Sequence, residues 1–165
     1  MKRVAFAIGL SLCAVPASAA TWDALADFSA SSNVNGVWSY GQTPIPYSSG
    51  AFALQTTPDA GPTRTNLPGW GDNDDGVPGT PPDFPFFWQN TSGADLRFLT
   101  ILAPTTHLLM HPGPSVDAVL RWTAPDAGLF RITADFLGID DGLQDGVTQL
   151  DGETTTAVEL YRNGT

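Results

Sequence analysis

An acidic run, WGDNDDG at residues 70–76, is the most suggestive place for chemistry in the sequence. Asp72, Asp74 and Asp75 bring carboxylates close together, and a loop that ends on glycine can bend around a hard cation. The run predicts a calcium site, and Ca2+ is the one cofactor that the sequence suggests. The bidentate glutamate of a helix-loop-helix calcium site is missing, so a solvated acidic turn is the alternative.

The five tryptophans are a second resource for binding. Trp70 and Trp88 flank loop-like sequence and are predicted to offer flat apolar faces to sugar rings, with nearby aspartate and asparagine accepting hydroxyl hydrogen bonds. Packing in the core is the alternative for both. Trp22, Trp38 and Trp122 lie in alternating, strand-like contexts and are predicted to be core residues.

Two histidines and one cysteine complete the set of reactive side chains. On a strand, His107 and His111 would lie on one face, where a third ligand could complete a zinc site. The apolar residues between them and Pro112 favour a structural role instead. Cys13 lies in the amino-terminal apolar run and no serine lies in a Gly-x-Ser-x-Gly motif, so no catalytic residue is assigned.

The amino terminus has the three regions of a secretory signal. Lys2 and Arg3 precede an apolar run over residues 4–15, and small residues follow to position 20. The run is too short to span a bilayer. We predict a cleavable signal-peptide helix over residues 1–19, a secreted product that is extracellular or at the cell surface, and no membrane span after the signal.

Net charge restricts the partners of the chain. Seven basic residues face 17 acidic ones, giving −10, and the predicted signal carries two of the cations. Such a surface repels phosphate backbones and anionic membranes, but it suits divalent cations and neutral ligands such as sugars. Nucleic acid is therefore excluded as a partner, whereas polysaccharide or another surface glycan fits.

Glycine and proline, at 17 and 14 residues, interrupt almost every stretch that could keep helical spacing. Apolar residues alternate over 116–123 and over 129–136, which predicts two antiparallel strands joined by the loop 124–128. Residues 56–83 are predicted to form a long ordered loop. We predict an all-β protein, a jelly-roll-type β-sandwich over residues 20–165. Weaker strand candidates cover residues 37–40, 51–54, 84–89, 107–110 and 157–161.

Four short motifs together resemble exported bacterial proteins of the PEP-CTERM class: DFS at 27–29, NGVWSYG at 35–41, LMHPG at 109–113, and RWTAP at 121–125 followed by AG. The resemblance implies a galactose-binding-like, carbohydrate-binding β-sandwich in a surface or matrix protein made alongside exopolysaccharide. The Pro-Glu-Pro sorting segment that defines the class is absent. The Asn-Gly turn signal at 163–164 predicts that the domain continues beyond Thr165.

These features predict a non-catalytic, secreted module associated with exopolysaccharide or extracellular matrix. Two other functions stay open from the sequence. One is a polysaccharide hydrolase or lyase that uses loop carboxylates, because the separation of such a pair depends on the fold. The other is a structural matrix protein with calcium-stabilised loops.

Overall fold

The computed structural model describes residues 20–46, 49–59, 65–71, 85–98, 101–140, 143–144, 148–149 and 157–162. These residues form short strands and one 3₁₀ turn, with no α-helix among them, so the all-β prediction is confirmed. The predicted signal peptide lies outside them. The strands are β1 Trp38–Pro44, β2 Ala53–Leu54, β3 Thr57–Asp59, β4 Gly69–Gly71, β5 Phe86–Gln89, β6 Leu96–Phe98, β7 Ile101–Ala103, β8 Leu108–His111, β9 Val116–Trp122, β10 Leu143–Gln144 and β11 Thr148–Gln149.

Two antiparallel sheets carry most of the fold. The first has the order β2-β1-β9, and the second has the order β3-β4-β5-β8. In the first sheet β1 and β9 pair over their whole length, from Trp38 opposite Trp122 to Pro44 opposite Val116. Two hairpins, β6-β7 and β10-β11, complete the described strands. No helix in the described part of the chain is long and apolar enough to cross a membrane.

The two sheets meet face to face through an aromatic core. Tyr40 from β1, Trp70 from β4 and Phe87 from β5 are all buried there. The rings of Tyr40 and Phe87 lie 5.6 Å apart, which places their strands in facing layers. This packing makes the molecule a β-sandwich, since two-sided burial of inward-facing side chains is what holds stacked sheets together. The partly buried residues around this core are Phe28, Trp38, Leu108, Ala118 and Leu120.

The second sheet is also buried on its other face. Phe86 and Trp88 alternate with Phe87 along β5, and they stack on each other at 3.6 Å with an interplanar angle of 9°. Leu109 of β8 lies with them, and residues from the β6-β7 hairpin region cover the cluster. Both faces of β5 are therefore apolar, which explains why its sequence reads as a continuous apolar run rather than an alternating one.

A polar network joins the loop before β1 to both sheets. The Asn33 side chain donates hydrogen bonds to the carbonyl oxygens of Tyr40 and Gln55, each at 2.7 Å, and accepts one from the Tyr40 amide at 3.0 Å. The Gln55 side chain in turn donates to the carbonyl of Pro85, just before β5, at 2.6 Å. These bonds tie the loop before β1 to β1, to the residue after β2 and, through Gln55, to the residue before β5, and they pair polar groups that are buried there.

Several strand predictions are confirmed and others are wrong. β9, β5 and β8 lie where the sequence predicts them, but residues 129–136 form no strand, and the partner of β9 is β1. Phe130, Ile132 and Phe136 are 39%, 64% and 55% exposed. An alternating pattern indicates a strand with one apolar and one polar face, but it does not show which strand pairs with it. Here the partner is β1, which carries Tyr40 into the core.

Two further predictions also need correction. Residues 157–161, predicted as a late strand, are exposed and belong to no strand. The predicted loop 56–83 contains β3 and β4, which extend the second sheet. Glycines at both ends of β4 suggested loop, yet they permit close strand approach: a Cβ on Gly69 would lie 1.8 Å from the Phe87 carbonyl oxygen.

Candidate functional site

The two tryptophans predicted to bind sugar are core residues. Trp70 is 4% exposed and Trp88 is 0% exposed. Trp70 lies between the sheets, and its indole Nε1 donates a 2.7 Å hydrogen bond to the carbonyl of Ser29. Trp88 packs on the opposite face of the second sheet against Phe86. Neither ring presents a face to a ligand, so this burial overturns the prediction that they stack on sugars.

The predicted metal ligands fall into two groups. Asp72, Asp74 and Asp75 lie outside the described residues, so calcium binding at that run stays a prediction. Of the histidines, His111 stacks on Phe86 with ring centroids 5.3 Å apart, while His107 precedes β8 and has its ring next to the Thr106 hydroxyl at 2.9 Å. Among the described residues no group of three or more histidine, cysteine or acidic side chains could hold a metal ion.

A different set of aromatic rings lies at the surface. Trp22, Trp122 and Phe130 form a cluster, called here the aromatic cluster, in which every pair of rings is in contact. The Trp122 and Phe130 centroids are 4.9 Å apart, those of Trp22 and Trp122 are 5.7 Å apart, and those of Trp22 and Phe130 are 6.1 Å apart. Phe130 is exposed, and both tryptophans are only partly buried. The cluster is thus an accessible patch of three large rings.

Three separate parts of the chain build the aromatic cluster. Trp122 is the last residue of β9 and lies opposite Trp38 of β1, on the face of the first sheet that carries the intersheet core. Trp22 comes from the amino-terminal segment, and Phe130 follows the turn after β9. Because directly opposite residues share a face of the sheet, Trp122 continues the apolar row of that face to its end.

The segment that carries Trp22 is fastened to both sheets. Asp27 accepts hydrogen bonds from the Trp38 indole at 3.1 Å and from the Asp23 amide at 3.0 Å. The Asp23 side chain caps the following turn by accepting from the amides of Leu25 and Ala26. On the side of the second sheet, the Gln89 side chain donates to the Leu25 carbonyl at 3.1 Å. These contacts hold the Trp22 segment in place before any ligand arrives, which lowers the entropy cost of binding.

The electrostatics behind the cluster favour a neutral interior. Burial raises the pKa of Tyr40 to about 12, and the negative charge of Asp27 acts in the same direction. Tyr40 is therefore neutral at physiological pH and serves as a packing group. Asp23 follows Trp22 in sequence, and its Oδ1 already accepts from the amides of Leu25 and Ala26. The flat rings of the aromatic cluster suit a ligand that has apolar faces.

Comparison with family models, with curated proteins and with solved structures gives no match to this chain. The resemblance to PEP-CTERM proteins therefore stays a prediction that rests on the four motifs.

Sequence reasoning missed the aromatic cluster for identifiable reasons. Trp122 and Phe130 both fit an alternating apolar pattern, and such a pattern predicts burial wherever a second layer covers that face. Trp22 is predicted to be a strand-like core residue, but it lies in a short turn-containing segment before β1 and is only partly buried. The sequence feature that could have indicated the aromatic cluster is that Trp22 and Trp122 are each followed by a polar residue, Asp23 and Thr123, which favours a position near the surface.

Proposed function

We propose that this protein is a secreted or cell-surface β-sandwich module, without catalytic activity, that binds neutral polysaccharide through the aromatic cluster. The observation that supports the proposal is the contact of three accessible rings, Trp22, Trp122 and Phe130, within 4.9–6.1 Å of one another. Phe130 is 39% exposed and both tryptophans are partly exposed, and such an apolar surface patch marks an interaction surface because leaving it in water is unfavourable.

The chemistry of the patch and the charge of the chain favour a neutral glycan as the ligand. Tryptophan rings provide broad apolar area for the carbon-bearing faces of sugar rings, and few torsions have to be frozen on binding. The net charge of −10 opposes association with anionic polymers. The hydrogen bonds of Asp23 and Asp27 keep the site preformed, as is usual for small-ligand sites.

Affinity electrophoresis tests this proposal directly. Native gels that contain a soluble neutral polysaccharide should retard the protein, and Trp22→Ala should abolish the retardation because it removes one of three rings in mutual contact. Trp22→Phe should retain most of it. Leu54→Ala, which removes an exposed apolar side chain on β2, is the matched control and should leave mobility unchanged.

Two results would contradict the proposal. One is equal retardation of the native protein and Trp22→Ala with both variants folded by circular dichroism. The other is no retardation of the native protein by any of a panel of glucans, galactans and mannans. Release of reducing ends from a retarding polysaccharide would instead indicate an enzyme.

Secretion is the second part of the proposal and has its own test. Lys2 and Arg3, the apolar run and the small residues up to Ala20 support cleavage after Ala19. Cleavage there leaves Trp22 in the exported chain as part of the site. Expression with the native amino terminus should yield an exported protein whose amino-terminal sequence begins Ala-Thr-Trp. Retention of residues 1–19 in the exported product would contradict this.

A further inference from the structure

Residues 129–137, with the sequence LFRITADFL and called here the exposed segment, belong to no helix or strand and lie at the surface. Leu129 and Ile132 near one end, and Phe136 and Leu137 at the other, are each more than half exposed. Surface apolar residues are common singly, but four among nine consecutive residues form an apolar patch that a partner would cover.

The backbone of the exposed segment is unpaired as well. In the described part of the chain, residues 129–138 make no backbone hydrogen bond. Backbone bonding resumes at Ile139, whose carbonyl accepts a 2.8 Å hydrogen bond from the Leu102 amide. A surface segment whose amide and carbonyl groups make no backbone hydrogen bond can take up strand conformation against another strand. The contact thus offered is strand addition, in which main-chain bonds provide affinity and side chains provide register.

The sequence of the exposed segment is complementary to itself. If two copies run antiparallel about a two-fold axis at Thr133, Arg131 of each copy lies opposite Asp135 of the other. The same register sets Phe130 opposite Phe136 and Leu129 opposite Leu137. Opposite charges and aromatic pairs are the combinations that stabilise directly opposed positions in antiparallel sheets. Every outer pair in this register joins residues of matching chemistry.

We propose that the exposed segment pairs with the same segment of a second copy of this chain, forming a two-stranded antiparallel junction between molecules. A second copy fits better than an unrelated strand because the match depends on this sequence being read in both directions. The register is specific, since a slip of one residue would place Arg131 opposite Phe136. The two-fold arrangement closes on itself and gives a dimer.

The charged positions remain accessible to a partner. Asp135 lies 3.8 Å from His107, but its side chain is 91% exposed, so it can meet an arginine from the other copy. A nine-residue strand pair is about 30 Å long and buries less area than a standard interface, so micromolar association is expected. This inference goes beyond the proposed glycan binding and uses residues outside the aromatic cluster, apart from Phe130.

A charge-swap series tests the junction. Sedimentation velocity of the purified protein between about 1 and 300 μM should show a monomer–dimer equilibrium. Arg131→Asp and Asp135→Arg each place like charges opposite one another and should weaken dimerisation at least about tenfold. The double variant Arg131→Asp with Asp135→Arg restores two opposite-charge pairs and should restore the dimer. If Arg131 and Asp135 acted only within their own chain, the double variant would not recover dimerisation.

A cysteine on the two-fold axis tests the register. In the exported chain, from which the predicted signal with Cys13 has been cleaved, Thr133→Cys should form a disulfide-linked dimer under mild oxidation, because only residue 133 faces itself. Ala134→Cys is the matched control, since it would face Ile132, and it should cross-link far less.

A monomeric native protein across the whole concentration range would overturn the proposal, and so would a double swap that stays monomeric or equal cross-linking of both cysteine variants. Pairing of the exposed segment within its own chain would appear as that monomeric result.

Discussion

Gly69→Ala is the substitution whose effect the structure determines most sharply. Gly69 lies in β4 opposite Trp88 of β5, where the two strands approach closely. A Cβ at this position would lie 1.8 Å from the carbonyl oxygen of Phe87 and 2.6 Å from the Trp88 side chain. The nearest obstacle is backbone of the second sheet, so the clash cannot be relieved by a rotamer change alone.

The size of the effect follows from what must move. A carbon atom is not found closer than 3.0 Å to such an oxygen, so β4 and β5 would have to separate by about 1.2 Å. That displacement weakens the pairing at Gly69 and Trp70 and the bond from the Gln89 amide to the Pro68 carbonyl. At about 1 kcal/mol for each lost bond, with overpacking strain added, we expect a loss of about 3 kcal/mol or more.

Urea unfolding followed by tryptophan fluorescence measures this loss. Gly50→Ala is the matched control, because no heavy atom lies within 4 Å of the Cβ it would add, and it should change the free energy of unfolding by less than about 0.5 kcal/mol. If Gly69→Ala costs less than about 1 kcal/mol with an unchanged m-value, β4 does not pack against β5 as described. The placement of Trp70 in the core would then lose its support.

Three further predictions concern the core, the loop network and pH. Phe86→Ala removes a ring stacked at 3.6 Å on Trp88 and should lower the free energy of unfolding by about 3–5 kcal/mol. Phe136→Ala removes an exposed ring and should change that free energy by under about 1 kcal/mol at concentrations where the chain is monomeric. Similar losses from both variants would contradict the assignment of Phe86 to a buried layer. Asn33→Ala removes three hydrogen bonds to backbone groups and should lower the free energy of unfolding by about 2–3 kcal/mol in the same urea experiment. A decrease below about 0.5 kcal/mol would show that the fold does not depend on this hydrogen-bond network. Burial raises the pKa of Tyr40 from 10.0 to about 12, so between these pH values the folded state keeps a proton that the unfolded chain releases. The free energy of unfolding should therefore fall by roughly 2–3 kcal/mol between pH 10 and 12. Tyr40→Phe should remove this contribution, and an unchanged dependence of the free energy of unfolding on pH in that variant would refute the burial of the hydroxyl.

The strands that the sequence predicts correctly are those with strong local patterns. β5 and β8 are aromatic or branched runs, and β9 alternates over seven residues, so each indicates its own extended conformation. The pairing between strands is a property of distant segments. By pattern alone, β9 could pair with residues 129–136 or with β1. It pairs with β1, about 80 residues earlier in the chain, and Tyr40 of β1 fills the core between the sheets.

The roles of the tryptophans show the same limit at the level of the site. Glycine and proline around Trp70 indicate loop, yet Gly69 permits the close strand contact that buries this ring. Trp122 has a core-like pattern, but it ends its strand, where Trp22 and Phe130 lie against it. Composition and alternation predict the fold class, whereas exposure of a given ring depends on which layers reach it, and that is fixed only in three dimensions.

The most direct test of the central claim is nuclear magnetic resonance of the five indole N–H groups during titration with fragments of a polysaccharide that retards the protein. Single Trp→Phe variants assign the signals. The Trp22 and Trp122 signals should shift on binding, while those of Trp70 and Trp88 should stay in place because both rings are buried. Shifts confined to Trp70 or Trp88 would contradict the aromatic cluster as the binding site.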